Sequence, residues 1–213
     1  TILSYYARGQ TDTLTRITKS AVKLMGLAMA LPIGLVCGFA PQLLTVWVGP
    51  EYANLSPLMV LLTVHLSINL AVIPLFSINV AYNKVQVPGI VTLVMGIGKI
   101  ILVVSLSLLT IWGYYSIAIA GVIILTLKNA FFTPWYATKV LEVEAHTFNL
   151  SMLPGVAATI VVGISAATLG AVQPITTLSM LIVAGMAITL VYLSAVWMFG
   201  LSRFERRLFK SYI

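Results

Sequence analysis

The 213-residue sequence is 60% hydrophobic and only 8% charged, with a mean hydropathy of +1.06, whereas a soluble domain carries about 25% charged residues. It is therefore read as an integral membrane protein, without room for a soluble domain. The net charge of +7 would suit nucleic acid only if the basic residues clustered on a water-facing surface; they are spread as topology signals, so no nucleic-acid partner is expected.

The chain starts at Thr1 with TILSYYARGQTDTLTRITKS, polar and helix-like, with Asp12 placed as a cap and no secretory signal pattern. Residues 1–21 read as a cytoplasmic connecting segment, as though from the middle of something longer. Six apolar runs follow, each near the ~20 residues that a bilayer requires. They cover Val22–Val48, Pro57–Ala81, Gly89–Trp112, Tyr115–Tyr136, Leu150–Val172 and Ile175–Gly200. Short connections marked by Gly49-Pro50, Asn83, Pro88-Gly89, Gly113 and Gln173-Pro174 join them. The expected fold is all-α, a six-helix transmembrane bundle over residues 22–200 with a basic tail at 201–213.

In the first run, a lone Cys37 can form no internal disulfide and is most simply a small buried hydrophobe. The second run carries His65, Asn69, Asn79 and Asn83 within a sector about 80° wide on a helical wheel, with Phe76 among them and Pro74 available to open the helix. That stripe suits a polar path that hydrogen-bonds sugars, and equally suits bonds between helices.

The third run, GIVTLVMGIGKIILVVSLSLLTIW, sets Lys99 about 15 Å from either water phase. A lysine stem of ~6 Å cannot carry its charge that far by snorkelling. Thr92, Gly96, Val103, Leu106 and Thr110 share its face, which fits a partner helix or a cavity. The structural alternative is a lysine bonded to a neighbouring helix's carbonyls. In the fourth run Lys128 recurs at seven-residue spacing with Tyr114, Gly121 and Trp135. It lies about 9 Å from the Trp135-Tyr136 pair, so it either faces a cavity or snorkels.

Glu142-Val143-Glu144-Ala145-His146 has a superficial metal-ligand look, but its ligating types do not share a helical face, so a solvated loop is expected and no metal. Asn54 and Asn149 open weak glycosylation sequons. The tail LSRFERRLFKSYI either lies as a basic helix on an anionic leaflet or only fixes topology.

Of the twelve Lys and Arg, ten flank the runs on one side: Arg8, Arg16, Lys19, Lys23, Lys84, Lys139, Arg203, Arg206, Arg207 and Lys210. The positive-inside rule places both termini in the cytoplasm, in the cytoplasmic membrane. Only Lys99 and Lys128 escape this rule. No Asp or Glu lies inside a run, whereas a carrier of cations, or one driven by protons or sodium, ordinarily uses a buried carboxylate. Two lysines without carboxylates favour an anionic cargo such as a phosphate or pyrophosphate. Nucleophile, glycosyl-transfer and phosphate-cradling motifs are lacking, so the chain is read as neither an enzyme nor a cofactor binder.

The blocks ILSYYARGQTDTLTRI, APQLLTVWVGPEYANLSPLMVLL, INVAYNKVQVPG and LKNAFFTPWYATKV resemble the C-terminal half of Wzx-type O-antigen and polysaccharide flippases, which share a superfamily with the multidrug and toxin extrusion transporters. The likeness runs from about Thr1 to Val140; the last two spans share only hydropathy. It implies one lobe of a two-lobed carrier that flips a polyprenyl-pyrophosphate-linked oligosaccharide by alternating access, with an N-terminal lobe outside this chain as partner. It also implies that basic residues in the cavity attract the head group. Lys99 and Lys128 are the positions here able to do so, and no alignment with a functional lysine is implied. Two other readings stand beside it: half of a multidrug antiporter, and a non-transporting scaffold whose lysines bind membrane lipids.

Overall fold

A computed structural model describes residues 11–202 and 204–206; Arg8, Arg203, Arg207, Lys210 and most of the expected basic tail lie outside the described residues. The described chain is helical, without a strand, and six helical stretches are long and apolar enough to cross a membrane: Thr11–Gly38, Pro50–Ala81, Gln86–Leu109, Tyr115–Leu141, Thr147–Val172 and Leu178–Gly200. These are the six expected spans, with shifted ends. The first helix reaches back to Thr11, so the described part of the connecting segment is continuous with the span. It stops at Gly38, where Pro41 supplies no N–H to continue the ladder, and after Phe39 a short helix, Ala40–Trp47, carries most of the rest of that run.

The first and fifth spans form the spine. Gly26, Ala30, Gly34 and Gly38 recur every fourth residue along the first, and the fifth answers with Gly155, Thr159 and Gly163. A Cβ on Gly155 would stand 2.7 Å from the backbone of Gly26, and one on Gly34 the same distance from Val162. Backbones meet this closely only over small residues, and in lipid such packing replaces the hydrophobic drive that water would supply. Contacts advance together along both spans, Gly26 at Gly155 and Gln42 at Gly170. The two helices are therefore parallel, as two spans with three crossings between them must be.

Leu14, Val22, Leu75, Ile78, Leu141 and Phe148 close a core among the first, second, fourth and fifth spans at the basic end. Phe39, Ala166, Ile175 and Leu181 close a smaller one at the other end. The third span buries none of its residues and the sixth helix buries only Leu181. Their exposed Leu, Ile and Val present an apolar surface to lipid. Exposed Trp47, Tyr52, Trp112 and Tyr114 mark one end of the bundle, and Trp135 and Trp197 the other, the positions of interfacial aromatic belts.

The chain after the sixth span returns to the start of the first. Lys23 donates to Glu205 at 2.9 Å, and the Arg16 guanidinium lies 4.2 Å from the Phe204 ring centre. Ser202 and Glu205 cap each other: the Ser202 N–H donates to the carboxylate at 2.7 Å and the Glu205 N–H to the serine hydroxyl. Burial works against the Glu205 charge, but the bonds from Lys23 and Ser202 outweigh it and hold the carboxyl below its usual range. Both ends of the described chain thus lie on one side of the bundle.

Candidate functional site

Prolines break the second and fourth spans, and the breaks expose polar groups. The second span is three short helices, Ser56–Val64, Leu66–Ala71 and Ile73–Ala81, interrupted at His65 and at Val72; Pro74, which offers no N–H, accounts for the second break. At the first break the Ser67 hydroxyl donates to the Val64 carbonyl at 2.8 Å. In the fourth span Pro134 deprives Ala130 of its helical partner, and Leu127–Phe132 widens into a π-turn. The Asn149 side chain from the fifth span donates 2.7 Å to that freed Ala130 carbonyl. The asparagine of the weak sequon is thus tied into the bundle.

Lys99 extends from the third span across the fourth where Gly121 has no side chain: a Cβ there would lie 3.7 Å from both Cε and Nζ. The Lys99 charge also reaches the His65 ring at the break in the second span, whose Nδ1 is buried without a hydrogen-bond partner. No hydrogen bond or ion pair of Lys99 is found among the described residues, so the neighbouring carbonyls do not hold it. Its helix face is open beside it, with nothing within 4 Å of where a Cβ on Gly96 or Gly98 would stand.

About 10 Å along the fourth span from Gly121, Lys128 enters a cavity of about 290 Å³ between the second, third and fourth spans. Phe76, Asn79, Thr92, Phe132 and Tyr136 line it, and the ammonium stands 5.8 Å from the Phe76 ring centre, within cation–π range. Lys128 has no hydrogen bond or ion pair among the described residues. Phe132 stacks on Tyr136 with ring centres 5.6 Å apart, and the Tyr136 hydroxyl donates to the Lys84 carbonyl. Gly121 and Lys128 both look toward the third span, while Trp135 is half-exposed beneath Lys139. The π-turn's wider winding ends the seven-residue register between them.

The asparagine stripe divides into three roles. Asn79 is 4% exposed, and its Oδ1 has no partner. Asn69 is inter-helix glue, accepting from Asn129 of the fourth span at 2.9 Å, while Thr133 donates to Asn129 at 3.2 Å. Asn83 stands in the left-handed region, φ 52°, where it ends the second span; it is exposed in the turn and off the face of the other two. Asn129 and Thr133, spaced i, i+4, are the polar pair that the sequence reading passed over.

The carboxylates keep away from this face. Glu142 turns the chain at φ 56° after the fourth span, Glu144 and His146 are exposed in the following loop, and no group able to hold a metal exists among the described residues.

No family model matches the chain, and no solved structure matches it. Over 205 residues it is 34% identical to a protein of Bacillus subtilis (strain 168) described as "Uncharacterized membrane protein EpsK", an alignment that takes in 96% of this chain and 41% of that protein. The chain is thus a homologue of a bacterial membrane protein and spans about two-fifths of its length.

Proposed function

We propose that this chain is one lobe of a carrier that moves a polyprenyl-pyrophosphate-linked oligosaccharide across the cytoplasmic membrane, both termini in the cytoplasm, by alternating access. The observation that carries the reading is the polar face of the second, third and fourth spans. Lys99 and Lys128 stand on it without a bonding partner among the described residues, His65 and Asn79 beside them, and no carboxylate nearby. A charged side chain at membrane depth costs roughly 2.5 to 3.5 kcal/mol on insertion scales. With no counter-ion to offset that cost, water and an anionic ligand are its natural partners.

The chemistry fits a pyrophosphate with a sugar attached. Each ammonium offers three donors to phosphate oxygens, at two depths about 10 Å apart along the helix. The rings of Phe76 and Phe132 and the unpaired Asn79 amide offer a stacking wall and a hydrogen-bonding group for a sugar in the same cavity. Breaks at His65, Val72 and the π-turn lie in the helices that carry these residues and give them points at which to bend. The opposite wall would come from the remaining length of a full protein.

In the full-length protein, Lys99→Ala combined with Lys128→Ala is expected to abolish export of the polysaccharide at wild-type levels of folded protein, and Lys99→Arg to restore part of it. Wild-type export by the double variant would overturn the reading.

A further inference from the structure

Away from the polar face, at the basic end, a second cavity of about 420 Å³ lies between the start of the first span, Val143 of the loop before the fifth, Ser151 and Glu205. Arg16, Lys19 and Lys23 reach it from one helix face, at i, i+3 and i+7. Their flanking position already accounts for topology. Their contacts show that they are not equivalent.

Lys23 is spent on Glu205, whose carboxylate also takes the Ser202 N–H. Arg16 lies over Phe204, an arrangement that leaves the edge N–H groups of a guanidinium free to donate. Lys19 is exposed and has no hydrogen bond or ion pair among the described residues. Ser20 is buried at the cavity wall, and the Thr15 hydroxyl is buried there without a partner. Three cations against Asp12 and Glu205 leave one positive charge in excess.

We infer that this cavity binds the phosphodiester headgroup of an anionic phospholipid in the leaflet on the basic side. Arg16 to Lys23 spans about 10 Å of helix, ending where the apolar run begins, so the cavity opens at the depth of the headgroup layer. Phosphodiesters are the anions most concentrated there. Lys19 supplies the unpaired ammonium, Arg16 the edge of a fixed guanidinium, and Ser20 a hydroxyl. A bound headgroup would bridge the first span to the loop before the fifth and to the capped turn after the sixth; of these, the first span and the turn are already joined by Lys23–Glu205 and the Arg16–Phe204 contact.

The test uses the full-length protein in a neutral detergent, with phosphatidylglycerol, phosphatidylcholine or inorganic phosphate added. Phosphatidylglycerol is expected to raise the melting temperature and to remain bound in native mass spectra, while phosphatidylcholine does neither. Lys19→Ala is expected to weaken phosphatidylglycerol binding about fivefold. Lys139→Ala removes an exposed cation on the same side, outside the cavity, and is expected to leave binding unchanged. Equal effects of the two lipids, equal losses at Lys19 and Lys139, or full stabilisation by inorganic phosphate alone would each overturn the proposal. Lys19 touches none of the groups on the polar face, so this result and that of the export assay are independent.

Discussion

The first and fifth spans, and the second through fourth, are two ways of building a helix interface. The first pair meets through glycines, backbone against backbone, along parallel and nearly uninterrupted helices. The other three meet through lysines, asparagines and rings around a cavity, where an unbroken third span faces second and fourth spans that are interrupted. Packing against small residues permits one arrangement, because any displacement brings backbone into contact. Polar side chains on broken helices permit several, at a cost in stability that a working surface requires. A close-packed spine beside an interrupted polar face is the division of labour that the proposed rocking of one lobe would need.

The largest expected effect comes from overfilling the spine. Gly155→Leu places a side chain where Gly26 already stands at contact; overpacking of this kind costs about 1–3 kcal/mol or more, and a steep fall in folded protein on size-exclusion chromatography in detergent is the expected readout. A normal yield would mean that the seam is looser than its geometry. The polar face should behave in the opposite way. Lys128→Ala removes an unpaired charge, so the melting temperature should hold or rise while export falls, and a loss of both would make Lys128 structural.

An intermediate effect is expected where the two regions join. Asn149→Ala leaves the Ala130 carbonyl without its donor, and interhelical bonds of this kind contribute about 0.6 to 2 kcal/mol. The melting point should drop modestly and export should change with it, because the π-turn carries Lys128. The smallest effect is expected at the latch between the ends. Glu205→Gln should cost about 1 kcal/mol or less. Since the folded carboxyl lies below its ordinary value of 4.5, the latch contributes fully above that value and is lost as pH falls through the lowered one. A thermal-melting series from neutral pH downward should show the difference between wild type and Glu205→Gln shrinking only on the acid side.

Much of this was legible in the residues. Six spans, their even number and the shared side of the basic flanks follow from hydropathy and from where lysine and arginine fall, and the described residues carry the same arrangement. The two intramembrane lysines were legible as exceptions to that distribution. The asparagine stripe was only partly so: a helical wheel assumes one unbroken helix, and the second span breaks at His65 and Val72 and ends before Asn83. Residues that share a sector in projection therefore have separate surroundings. The seam itself was visible as Gly26, Ala30, Gly34 and Gly38, yet nothing in that spacing names the fifth span as the partner.

What the sequence determined by itself is the solvent of this protein and the crossings it makes. Burying about twenty apolar residues at a time, with charge held to one side, is a property of composition and order along the chain. Tertiary structure alone decided which polar groups are paired. Asn69 and Asn149 are consumed by neighbours while Lys99, Lys128 and the Asn79 Oδ1 have no hydrogen-bond partner among the described residues, because pairing depends on distances between helices that no single helix encodes.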